Sequence, residues 1–291
     1  GFDRNTSSSR LIPAFGVPFK PESPHAVFAS SSLGTRKDDP DREREQMPGS
    51  NDSNSSHPAA HGRLAVLALL IIGILAIYSN TFQVPWHFDD RRNIVERSDL
   101  HLNALSWEEV RDTLFKGERL YRPVSCLSLG LNHYLHGLDV TGYHIVNTAV
   151  HILAAWFLFL FLRVTLQSPT VSSFYRERSF FIALLTVLLW AAHPIQTQAV
   201  TYIVQRMAGL AGMFYILTMY LYARARILER GPSRWIFFAL SAVAALLALG
   251  SKENAVLLLV AVPLYEWFVL TDTSLGQALG RHWKVVLLVL A

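Results

Sequence analysis

Seven runs of apolar residues, at 64–78, 143–162, 180–192, 208–223, 235–249, 255–270 and from 285 to the end, constrain this chain more than any other feature. Crossing about 30 Å of hydrocarbon takes roughly 20 helical residues, and uncharged or aromatic flanks extend most of the shorter runs toward that length. The set predicts an all-α fold, a polytopic transmembrane helix bundle. Composition agrees, with 51% hydrophobic and 16% charged residues. The net charge of +4 is small, and the basic residues fall between apolar runs rather than in one patch, which argues against nucleic acid as a partner. Cys126 is the only cysteine, so neither an intrachain disulfide nor a thiolate metal cluster can form.

Residues 1–61 are rich in Ser, Pro, Asp and Arg and offer too little apolar surface to offset the entropy of ordering, which predicts a disordered tail. The first apolar run lies behind that tail without a clear small-residue cleavage site, so it reads as a retained anchor rather than a signal peptide. Residues 62–291 form the membrane domain. The chain lacks an initiating Met and stops inside an apolar run, the pattern expected of a fragment.

Excess Lys and Arg in short loops marks the cytoplasmic side. Arg163, Arg176 and Arg178 fall in one loop, Arg224, Arg226, Arg230 and Arg234 in the next basic one, and Arg281 and Lys284 in a third. Those loops and the N-terminus are assigned to the cytoplasm. The long segment 80–142 and the remaining loops then lie in the periplasm or lumen, together with every unusual polar cluster: WHFDDRRNI (86–94), YRPVSC, TGYHIVN, AAHPIQTQ, VQRMAG and SKEN. The long loop predicts two interfacial helices. One has Ser106 as N-cap, Glu108 and Glu109 in its first turn and Gly117 as its stop; the other runs from Pro123 to Gly137.

Asp89 and Asp90 are the first candidates for chemistry. Two adjacent carboxylates near low-dielectric lipid repel, and at least one has a raised pKa unless Arg91 and Arg92, or a metal, neutralise it. Such a pair suits a general base; the plainer reading is a solvated charge cluster. Arg122, Arg206 and Lys252 are external cations able to hold a phosphate, although basic residues also snorkel at span ends. His144, Asn147, Thr148 and His151 share a helical face. The two histidines stand about 10 Å apart, which favours hydrogen bonding between helices over metal ligation. His193 before Pro194 marks a break in the third span that can shape a pocket. Glu253 can pair with Lys252 or reach into the site.

The stretches HFDDRRNIV, RPVSCLSLGLNHYLHGLDVTGYHIVNTAVHIL, HPIQTQAVTYIVQRMAGLAGMFYIL and SKENAVLLLVAVPLYEW resemble, in order, the integral-membrane glycosyltransferases of the GT-C class. The likeness is to the protein O-mannosyltransferase-like proteins, including bacterial members of the transmembrane and tetratricopeptide-repeat family. The resemblance implies a GT-C-like bundle with a long first extracytoplasmic loop. It also implies a polyprenyl-phosphate-linked sugar as donor, a protein or peptide hydroxyl as acceptor, and inversion at the anomeric carbon. Asp89 matches the family's catalytic base. Asp90 would orient the acceptor or its partner base, or help hold a divalent cation, Mg or Mn, if one is needed. Arg206 and Lys252, with Arg122 in support, would meet the leaving phosphate, and His193, Glu253, His144 and Asn147 would line the pocket. Some relatives carry an acid near Gln198, where this chain has an amide, so a second acid there is unsupported. Two other readings compete: a non-catalytic membrane anchor for a repeat scaffold, and a transporter of lipid-linked sugars, for which no matched pair of broken repeats is visible.

Overall fold

The computed structural model describes residues 57–116, 122–227 and 231–271. The predicted tail up to residue 56, the stop at Gly117 and the seventh apolar run lie outside the described residues. Among the described residues, ten α-helices follow one another: α1 (His57–Ile77), α2 (Trp107–Phe115), α3 (Pro123–His136), α4 (Val140–Leu166), α5 (Ser173–Glu177), α6 (Ser179–Ala192), α7 (Thr197–Val200), α8 (Arg206–Ile227), α9 (Pro232–Leu249) and α10 (Leu258–Tyr265). No strand occurs among the described residues. The fold is all-α.

The first six apolar runs fall in helices: α1, α4, α6, α8, α9, and a continuous helical stretch Glu253–Leu270 that begins as a 3₁₀ turn and ends as a π turn. By length and composition three of these can cross a membrane: Val140–Leu166, Pro232–Leu249 and Glu253–Leu270. A fourth is bent, Ser179–Ala192 continuing into Pro194–Val200 at 55°. The apolar stretch of α1, Gly62–Ile77, is shorter than a span, and the tyrosines and arginines of α8 dilute its hydropathy.

Packing follows the helical repeat. Val66, Leu70 and Ile74 recur every four residues on α1, and with Tyr78 just past its end they bury against Ala155 and Phe159 of α4 and Ala183, Val187 and Ala191 of α6. Farther along, Val164, Met219, Ala223, Ala248, Leu258 and Tyr265 join α4, α8, α9 and α10. A third cluster, Ile94, Leu100, Cys126, Leu129, Tyr143, Ile203, Val204 and Met207, pins the long loop to the ends of α3, α4 and α8.

The loop helices start and stop where their residues dictate. Ser106 Oγ accepts from Glu109 N at 3.2 Å, and the Glu109 carboxylate reaches back to the Asn103 and Ala104 N–H groups at 2.7 and 3.0 Å. Pro123 opens α3, and Gly137 ends it at φ +58°, a conformation open to glycine.

The polar stripe of α4 supplies the backbone of its irregular neighbours. His144 Nε2 donates to Val84 O at 2.9 Å, Asn147 Nδ2 to Val200 O at 3.3 Å and His151 Nε2 to Ala191 O at 3.2 Å. The last of these repairs the break in the third span. Pro194 has no N–H, and the Ile195 N–H donates to His193 Nδ1 at 3.2 Å, so the helix pattern leaves Ala191 O without its usual donor. Tyr78 O–H also donates there, at 3.2 Å. Non-helical backbone at membrane depth survives only with such partners.

Two ends of the bundle differ in character. At one, Thr81 bonds Thr201 at 2.9 Å, Ser125 Oγ donates to Ser251 O at 2.9 Å, and Val124 N donates to Gly250 O at 2.9 Å. At the other, Arg226 pairs with Glu266, Tyr222 O–H donates to Glu266 Oε2 at 3.0 Å, and Thr165 bonds Tyr265 at 2.8 Å.

Candidate active site

The turn His87–Asp90 sits at the first of these ends. Asp90 is 1% exposed. Its Oδ2 accepts from His87 N at 3.1 Å and its Oδ1 from Val204 N at 2.7 Å, while its own N–H donates to His87 O at 2.8 Å. Burial pushes its carboxyl above the usual carboxylate range, against the pull of the two N–H donors. The carboxylate thereby closes the turn and fastens it to the entry of α8.

Asp89, one residue earlier, is exposed. Its N–H donates to the Tyr202 hydroxyl at 3.1 Å. Phe88 before it has φ +41°, a left-handed conformation costly for a residue with a Cβ, and leaves 88% of its surface open. Its ring meets the edge of Tyr202 at 6.3 Å. Between this turn and the segment after the helix break lies a hollow of about 190 Å³, lined by Val84, His87, Phe88, Thr197, Gln198, Thr201 and Tyr202. Asp89 follows two of these lining residues directly and is tied to a third.

Asp90 spends both oxygens on backbone N–H groups, and Asp89 stands outside. No group of three His, Cys, Asp or Glu side chains is poised for a metal among the described residues.

Two of the three cations expected to gather on an anion are held by groups of the protein itself. Arg206 is 1% exposed, with Nε donating to Asn147 Oδ1 at 2.7 Å and its terminal nitrogens to Tyr143 O at 2.8 Å and Ser128 O at 3.3 Å; its guanidinium lies 5.2 Å from the Tyr143 ring centre. It ties α3, α4 and α8 together inside the bundle. Arg122 donates to both oxygens of Glu253, at 2.8 and 2.5 Å, and to Met207 Sδ at 3.1 Å. Glu253 thus pairs with Arg122, 131 positions away. Lys252 is half-buried at the head of the stretch leading to α10.

The expected pocket residues are engaged with backbone and with the expected cations. His193 is exposed and caps the turn after the break. His144 is fully buried, its Nε2 held by Val84 O and its Nδ1 without a partner. Asn147 bridges Val200 O and Arg206. None of these three, nor Glu253, lines the hollow beside Asp89. Sequence reasoning missed Tyr202, Phe88 and Thr201; the one local hint was the aromatic in TYIV, close after the broken span.

No family model matches the chain, and no solved structure matches it. Curated relatives do. Protein O-mannosyl-transferase TMTC2 of Homo sapiens is 30% identical over 220 residues, 72% of this chain and 25% of the relative. Protein O-mannosyl-transferase Tmtc1 of Drosophila melanogaster is 32% identical over 205 residues, 68% of this chain and 22% of the relative. Protein O-mannosyl-transferase TMTC3 of Mus musculus is 30% identical over 213 residues, 70% and 21% respectively. The chain spans 21–25% of the length of these relatives. Over about 70% of its length, the chain is similar to the protein O-mannosyl-transferases that these relatives represent.

Proposed function

We propose that the chain carries the catalytic membrane segment of a glycosyltransferase that moves mannose from a polyprenyl-phosphate donor to a Ser or Thr hydroxyl of a protein acceptor. The reading rests on the relatives' names and on one structural observation: of two adjacent aspartates, Asp90 is consumed in holding the turn, while Asp89 is left open beside a hollow framed by Phe88 and Tyr202. The Asp89 carboxylate takes the proton of the acceptor hydroxyl. The acceptor oxygen then bonds the anomeric carbon as the bond from that carbon to the phosphate oxygen breaks, with inversion, and the lipid phosphate departs with the electron pair.

A donor whose tail stays in the bilayer keeps its phosphate at headgroup level, where span ends gather. Arg122 is occupied by Glu253 and Arg206 is enclosed, so the exposed Arg91 and Arg92 beside Asp89, with Lys252, are the cations proposed to meet that phosphate. This end of the bundle is assigned to the periplasm or lumen and the N-terminus to the cytoplasm.

The test is transfer from polyprenyl-phosphate mannose to Ser/Thr peptides by the full-length protein, with and without chelator. Asp89→Asn is expected to lower turnover about a hundredfold or more while thermal unfolding stays that of the wild type. Unchanged turnover in Asp89→Asn overturns the reading. Absence of transfer with any acceptor, alongside intact cellular function of Asp89→Asn, favours a membrane anchor instead.

A further inference from the structure

Tyr202 both walls the hollow and bonds the proposed base. Its hydroxyl accepts the Asp89 N–H at 3.1 Å. Its ring meets the strained, open Phe88 at 6.3 Å. Its backbone is fixed from both sides: it is extended and precedes the 3₁₀ turn Ile203–Gln205, whose Ile203 and Val204 are buried and whose Val204 N–H is gripped by Asp90. The phenol therefore stands at a fixed place relative to the acidic turn.

We propose that Tyr202 is a positioning residue for Asp89: with its oxygen satisfied by the Asp89 N–H, it turns its own O–H toward the carboxylate and holds that group aimed across the hollow. This rests on the transferase reading above. A base free to swing on its Cα–Cβ bond spends much of its time facing bulk water, whereas one held by a single hydrogen bond keeps its remaining lone pairs toward the acceptor.

The experiment compares wild-type full-length protein with Tyr202→Phe in transfer from polyprenyl-phosphate mannose to a Ser/Thr peptide, alongside thermal unfolding of both. Tyr202→Phe keeps the ring, and with it the wall of the hollow. The expected result is a fall in kcat of roughly tenfold to a hundredfold, an acceptor KM within about twofold of the wild type, and an unchanged unfolding midpoint. A merely structural tyrosine would lose activity together with a lowered midpoint or a raised acceptor KM, and that outcome overturns the proposal, as does a variant indistinguishable from wild type. Failure of the wild type to transfer at all removes the parent reading and this one together, while transfer by the wild type with an unaffected Tyr202→Phe removes this one alone.

Discussion

Asp89 and Asp90 have the same side chain and adjoining positions, yet one is open and the other is sealed. The difference lies in what each oxygen touches. Asp90 answers two backbone N–H groups that would otherwise be buried without acceptors, and an asparagine amide could answer only one of them. Asp90→Asn is accordingly expected to cost about 1–3 kcal/mol of stability, read as a lowered unfolding midpoint in detergent. The pH response follows from the direction of its shift. Because burial raises the Asp90 carboxyl in the folded chain, the folded state holds that proton to higher pH than the unfolded chain does. This group's contribution therefore weakens the fold as pH rises from the ordinary carboxylate range through the raised value. Asp90→Asn should erase that slope, which unfolding measured between pH 4 and 8 would reveal as a flatter profile. Asp99 runs the other way: its hydrogen bond from Arg97 lowers its carboxyl, so its contribution is present above the usual range and is lost as pH falls.

Among the elements, α4 carries the most legible signal, and the break at His193–Pro194 was legible too. The stripe His144, Asn147 and His151 already implied hydrogen bonds on one helical face, and the structure gives each an acceptor carbonyl. Ser106, Pro123 and Gly137 announced the ends of α2 and α3 through local geometry alone. The partners of Arg122 and Arg206 had no such announcement. A charge in VQRMAG shows neither depth nor neighbours, and Glu253 reaches Arg122 only after the chain has folded, so both arginines read as free cations when they are tied. Tyr202 was missed for the same reason, since its role comes from a contact 113 positions away. The carbonyl at the break offers an element-scale test. Tyr78 and His151 both donate to Ala191 O, so either Tyr78→Phe or His151→Phe leaves one donor in place. The double variant should be worse than the sum of the singles by about 0.5–2 kcal/mol, measured by a double-mutant cycle on unfolding in mixed micelles; strict additivity would contradict the shared role.

At the scale of the whole molecule, the loops sort by end. Residues 79–102, 193–206 and 250–253 meet at one, and the ends of α4, α8 and the stretch after α10 meet at the other, in keeping with alternation of the helices through a bilayer. The side of the membrane each end faces is open to direct measurement. Cys126 is buried, so it should stay silent toward a membrane-impermeant maleimide. A cysteine placed at exposed Asn103 should label in intact, right-side-out vesicles, and one at exposed Ser172 only after the membrane is opened. The reverse pattern would invert the proposed topology.

Arg206 shows what a buried cation can be for. Its bonds run to two main-chain oxygens and one amide oxygen rather than to a carboxylate. A lysine there would present a single point of charge where a planar fork now spans three helices, leaving gaps that no water-filled surface could mend. The residue works as a dowel: remove it, and the wall against which the acidic turn leans comes loose from the helices behind it.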